Sequence, residues 1–154
     1  MEDADVAAPL EDERAAPFRR RVRSKLSNAL IVWLVTTDGS GRPHPSPVWF
    51  LWEGDGNLEG STVLVYSQPD AAKLRHIAAQ EAVALHFDTD PRGTDVVILY
   101  GRAHHDDQAP PAVDVPAYLE KYRDSIADLG STEQAFSGGY SAALRITLER
   151  VRGF

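Results

Sequence analysis

The sequence predicts a mainly β, α+β domain, a six-stranded antiparallel Greek-key β-barrel flanked by helices. Three observations lead there. About six short β-branched or aromatic runs are joined by hairpin-length links, which favours antiparallel pairing over a doubly wound parallel sheet. Helical patterns stand at the start, the middle and the penultimate position rather than between every pair of strands. The 154 residues, 43% of them hydrophobic, suit one core, and no repeat or second domain is visible.

Residues 1–17 are rich in Ala, Pro and acids without apolar periodicity, which predicts a disordered acidic tail ahead of a domain over 18–154. Phe18, Val22, Leu26 and Leu30 then recur every fourth residue, the stripe of a helix over 18–27 whose other faces hold Arg19, Arg20, Arg21, Arg23 and Lys25. Residues 29–37 form the first strand, bounded by the turn sequence Asp38-Gly39-Ser40-Gly41.

The returning strand, 42–52, carries proline at 43, 45 and 47. Successive amides point to opposite edges, so all three missing N–H groups face the same side. One edge can pair with the first strand, and the other must meet solvent, a partner subunit or a ligand. Trp49, Phe50, Leu51 and Trp52 are consecutive and point alternately to both faces. The outer face therefore needs cover from a helix, a second subunit or a planar ligand, and a homodimer is the simplest arrangement.

Residues 62–67 give a third strand, and a helix opens near Pro69 with Asp70 as its expected N-cap. Fourth and fifth strands cover 81–88 and 95–105. Residues 116–129 place Tyr118, Leu119, Tyr122, Ile126 and Leu129 on one helical face that stops at Gly130. Ser131 to Gln134 reads as a capping box for a short helix, and 144–149 alternates strictly as a sixth strand.

Composition narrows the chemistry. The absence of cysteine excludes thiolate zinc, iron–sulfur and cysteine-nucleophile sites. The net charge of -7 divides into -5 over 1–17, +5 over 18–25 and -7 over the remainder, which argues against general nucleic-acid binding. No apolar run reaches the length of a membrane helix and the N-terminus is acidic, so a cytoplasmic location is expected. The five histidines lack ligand spacing, so no metal is expected. No Walker, dinucleotide or Gly-x-Ser-x-Gly pattern occurs in the right context. What remains is an anion cradle: Ser67 ends a strand, a helix N-terminus follows, and Lys73 lies in its first turn.

A series of ordered segments then resembles a known family: Trp33 to Trp52, Val65 to Leu74, Ala82 to His86, Gly101 to Ala103, and Tyr118 to Arg123 with the closing Leu144 to Phe154. They are similar to the pyridoxamine 5'-phosphate oxidase-like split β-barrels, and within them to the actinobacterial branch that uses the deazaflavin coenzyme F-420. The resemblance implies a homodimer with cofactor sites at the subunit interface. It implies that Ser46, Pro47, Val48 and Trp49 line the ring pocket, and that Ser67 and Lys73 hold the phosphate with Gln68 and Leu74 beside them. A second base expected two residues before the lysine is replaced by Ala71, with Arg75 as a possible substitute. Arg19, Arg20, Arg21, Arg23 and Lys25 would guide the cofactor's oligoglutamate tail, or else form a solvated face. The implied reaction is hydride transfer from reduced deazaflavin to an unsaturated small-molecule acceptor such as a quinone, a tetrapyrrole like biliverdin or an activated alkene, with no catalytic acid–base residue assigned. The alternatives are an FMN-dependent oxidase of the same fold and a non-catalytic flavin- or haem-binding protein.

Overall fold

A computed structural model describes the backbone of residues 2–154 and the side chains of 15–154. It contains α1 (Glu2–Asn28), β1 (Val32–Thr37), β2 (Pro43–Val48), β3 (Leu51–Glu53), β4 (Thr62–Ser67), α2 (Ala72–Ala79), β5 (Ala82–His86), β6 (Val97–His105), α3 (Pro116–Asp128), α4 (Glu133–Gly139) and β7 (Ala142–Gly153). The tail expected over 1–17 falls, through residue 14, outside the described side chains.

All strands join one antiparallel sheet in the order β2-β1-β5-β6-β7-β4-β3. The chain connects the two edge strands, β2 and β3, through Trp49 and Phe50 alone. Three Cα steps reach about 11 Å, whereas a flat sheet would separate its outermost strands by about 29 Å. The sheet must therefore curl until its edges nearly meet, and because β2 and β3 form no ladder the barrel stays split there.

The strand count of seven corrects the expected six. The single return strand over 42–52 breaks at Trp49–Phe50 because the backbone of Phe50 is held by side chains instead of a neighbouring strand. Its N–H donates to the Tyr122 hydroxyl (2.8 Å) and its carbonyl accepts from Lys121 Nζ (2.8 Å). The alternation predicted for this stretch does hold. Phe50 and Trp52 pack with the barrel interior, and Trp49 and Leu51 pack with a second cluster outside it.

The interior cluster is built from the inward residues of each strand, among them Leu34, Val63, Leu85, Leu99 and Ile146, and α1 contributes Val22 and Leu26 to it. The outer cluster joins Leu64 and Tyr66 of β4 to Tyr118, Tyr122 and Ile126 of α3 and Phe136 of α4. Strand β4 is thus buried on both faces, and helices supply the cover its outer face required. β2 pairs with β1 only, so the proline edge is open as its sequence demands.

Several local expectations shift. Leu30 lies beyond the end of α1 and is 49% exposed. The N-cap of α2 is Ala71, not Asp70, because the Ala71 N–H bonds back to the Gln68 carbonyl (3.2 Å) and prolongs the turn by one residue. Thr132 rather than Ser131 caps α4, accepting from the Ala135 N–H (3.1 Å). Leu129 does not join the buried face of α3; it follows the last helical turn and is 63% exposed. Gly101 sits where β6 bulges against β7. A Cβ there would stand 2.4 Å from the Thr147 carbonyl oxygen, so only glycine fits.

Candidate functional site

Strand β4 ends at Ser67 and passes through the turn 68–71 into α2, while α3 and α4 lie over its outer face. Between them opens a cavity of about 390 Å³, with Pro47, Val48 and Trp49 on the side of the β2–β3 link. Its lining combines the polar residues Ser67, Gln68 and Lys73 with the aromatic and apolar residues Tyr66, Tyr118, Leu129, Phe136 and Tyr140.

Six of the eight expected cofactor residues meet here: Pro47, Val48, Trp49, Ser67, Gln68 and Lys73. Two do not. Ser46 pairs with Leu34 and so faces the barrel interior, opposite to Pro47. Leu74 packs against the interior core. Arg75, the possible second base, is exposed and does not line the cavity, whereas Ala71 does.

Among the polar residues Ser67 is 3% exposed and its hydroxyl donates to the Gln68 carbonyl (3.0 Å), leaving oxygen lone pairs but no free proton. Lys73 is half-buried and makes no ion pair among the described residues. Burial pulls its ammonium below the ordinary lysine range. No side chain caps α2 beside it. A lysine without an ion pair among the described residues and a helix start without a side-chain cap, both beside one cavity, are features that suit an anion.

The aromatic wall is one continuous stack. Tyr122 lies on Trp49 (4.7 Å between centroids, 3° between planes), Trp49 on Phe136 (5.2 Å, 19°) and Phe136 on Tyr140 (4.7 Å, 13°). The stack fixes the Trp49 ring and presents flat apolar surface to the cavity. Sequence reasoning assigned Trp49 to the pocket and missed Tyr66, Tyr118, Leu129, Phe136 and Tyr140. The i, i+4 spacing of Tyr118 and Tyr122 reads as core, and only the packing of α3 on β4 shows that one flank of that core is hollow.

Behind the wall, Lys121 donates to the Phe50 carbonyl and lies 3.6 Å from the Phe50 ring centroid. Burial lowers its pKa to about 8. The unfolded chain then holds this proton more tightly, so the contribution of Lys121 to stability rises with pH between about 8 and the ordinary lysine value. Urea melts at pH 7 and pH 9.5 should show wild type gaining on Lys121→Met as pH increases. Parallel profiles would mean that the ammonium is not desolvated.

The basic residues of α1 are engaged elsewhere. Arg19 pairs with Glu59 (2.5 Å), Arg21 and Lys25 flank Asp95 (2.9 and 2.7 Å), and Arg23 Nε donates to the Gly56 carbonyl (2.6 Å). Arg20 is exposed, and none of the five lines the cavity. Their visible role is to fasten α1 to the acidic body. Two of the five histidines are also occupied: His44 Nε2 meets Asp38 (2.8 Å), His76 Nδ1 meets Thr36 (2.9 Å), and their rings stack at 4.4 Å.

Solved structures share this architecture. HupZ of Group A Streptococcus aligns at 18% identity and TM-score 0.55, over 82% of this chain and 86% of its own. The heme storage protein HutZ of Vibrio cholerae aligns at 16% identity and TM-score 0.54, over 86% and 92%. An F-420 reductase aligns at 20% identity and TM-score 0.55, over 84% and 94%. A search of curated protein sequences returns no match. At these identities the structures speak to fold alone, but the family model for pyridoxamine 5'-phosphate oxidase matches residues 18–154. The open proline edge, the split between β2 and β3 and that match over nearly the whole chain place this protein in the pyridoxamine 5'-phosphate oxidase family of split β-barrels.

Proposed function

We propose that this chain is an oxidoreductase that binds reduced coenzyme F-420 in the cavity between β4, α2 and α3 and reduces an unsaturated small molecule. The observation that carries the reading is Lys73, without an ion pair among the described residues and lining the cavity beside Ser67 and Gln68, with Ala71 where a second base would stand. One lysine and a helix N-terminus match the single charge of the deazaflavin phosphodiester. The FMN monoester carries about -1.5 to -2 at neutral pH and calls for more positive charge.

When bound, the deazaflavin supplies a hydride to the acceptor carbon, and a solvent proton completes the addition. The chain itself contributes the anion site at Ser67, Gln68 and Lys73, a flat wall at Pro47 to Trp49, and exclusion of water by α3 and α4. The second subunit of a homodimer completes the site. Trp33 and Val35 on the outer face of β1 and Ile98 and Tyr100 on that of β6 are half-exposed, and β2 has an unladdered edge.

The test is titration of purified protein with the deazaflavin coenzyme and with FMN, read by tryptophan fluorescence, with light scattering for mass. Tighter binding of the deazaflavin and reduction of a quinone at its expense are expected. Tight FMN binding without deazaflavin binding would establish the FMN-dependent alternative instead.

A further inference from the structure

We infer that the cavity is the gap left by an interrupted β-ladder, and that Pro47 is a positioning residue that keeps the gap open for a bound ring. The inference rests on the cofactor-binding reading above and adds to it what holds the same site apart.

Strand β3 pairs with β4 from Glu53–Thr62 as far as Leu51–Leu64 and stops there. β4 runs on to Ser67 with β7 along one edge, so residues 65–67 have no strand on the other. Carried on residue for residue, the β3–β4 register would set Trp49 against Tyr66, Val48 against Ser67 and Pro47 against Gln68. All six of these residues line the cavity. The hollow stands where the barrel would otherwise zip shut.

Two devices stop the zip. At Phe50 the main chain is taken by the Tyr122 hydroxyl and Lys121 Nζ. Next to it, β2 keeps an unbroken ladder with β1 over residues 43–48, to which only the amides of His44, Ser46 and Val48 can donate. In an antiparallel pair the N–H and C=O of one residue point to the same edge, so Pro43, Pro45 and Pro47 turn theirs away from β1. There each proline lacks a donor and carries its ring where the amide hydrogen would be, which obstructs an approaching strand. Of the three only Pro47 lines the cavity, and Pro43 lies at the far end of the strand, opposite Thr37.

The experiment compares wild type with Pro47→Val, which restores the donor on a strand-favouring residue. Pro43→Val is the control, because it gives up the same ring constraint on the same edge, away from the cavity. In unliganded Pro47→Val, hydrogen exchange of peptides covering residues 65–68 should slow by about fivefold or more as that edge gains a partner. Deazaflavin affinity, read by tryptophan fluorescence, should fall about three- to tenfold, because the ligand must first reopen the seam. Pro43→Val should change neither quantity. If Pro47→Val does not fold, Pro47→Ala restores the amide with a smaller side chain and carries the same expectations.

Unchanged exchange over 65–68, slowed exchange with undiminished affinity, or equal effects from Pro43→Val would overturn the inference. Failure of wild type to bind deazaflavin would remove the cofactor reading, while the exchange comparison, made without ligand, would still judge Pro47.

Discussion

Tyr122→Phe is expected to lower folding stability by about 2–3 kcal/mol, read as a fall in the urea midpoint with an unchanged slope. Tyr122 is wholly buried, and one oxygen atom ties three segments together. It accepts from the Phe50 N–H (2.8 Å) and donates to the Leu30 carbonyl (2.7 Å), with the Phe50 carbonyl at 3.0 Å. Removing that oxygen orphans the Phe50 N–H at the point where β2 gives way to β3, and no strand lies nearby to receive it. Loss of the Leu30 contact also loosens the junction of α1 with β1. The Phe50 carbonyl keeps Lys121, so the link is weakened without being released. The ring remains on Trp49, which separates the hydroxyl from packing. A change below about 0.5 kcal/mol, the size of an ordinary surface substitution, would show that the link does not depend on this hydroxyl.

Lys73→Ala is expected to weaken deazaflavin binding by about ten- to a hundredfold, the usual worth of a hydrogen bond to a charged group. The same substitution should leave the unliganded protein as stable or slightly more so. Among the described residues the lysine has no carboxylate partner to lose, and burial already disfavours its charge. That opposition between binding and stability separates an anion receptor from a structural lysine. Lys73→Arg should recover part of the affinity by restoring charge, although its fork differs in shape. An affinity unchanged in Lys73→Ala would move the anion site elsewhere and withdraw the main support for the proposed cofactor.

Much of the fold could be read from local pattern. The strand at 62–67, the helix at 116–129, the proline edge at 43–47 and the two-faced run 49–52 follow from side-chain period and from the missing amide of proline, which act within a few residues. What local pattern could not show was the break at Trp49–Phe50. Nothing in that run is a turn residue, and the break exists because Tyr122 and Lys121, some seventy residues later, capture the backbone. The cap of α2 and the exposure of Leu129 were misplaced for a related reason, since both depend on which hydrogen bond closes a helix end.

The site divides in the same way. Ser67, Gln68 and Lys73 lie on one strand–helix turn, so chain continuity alone brings them together. Pro47 to Trp49 were named from resemblance, and the curl of the sheet brings them to the cavity wall. The aromatic residues Tyr118, Phe136 and Tyr140 come from two helices whose contact with β4 is a matter of tertiary packing. The basic block of α1 was legible as charge, but its partners Glu59 and Asp95 were not, because ion pairs across an element interface leave no periodicity in sequence. By itself, then, the sequence determined an antiparallel barrel with helices and a strand–helix turn carrying Ser67, Gln68 and Lys73, since period, proline and chain continuity are local properties. Only the tertiary structure decided the seventh strand, the docking of α1 and the hollow beside Tyr118, because each depends on groups that folding alone brings within hydrogen-bonding or packing distance.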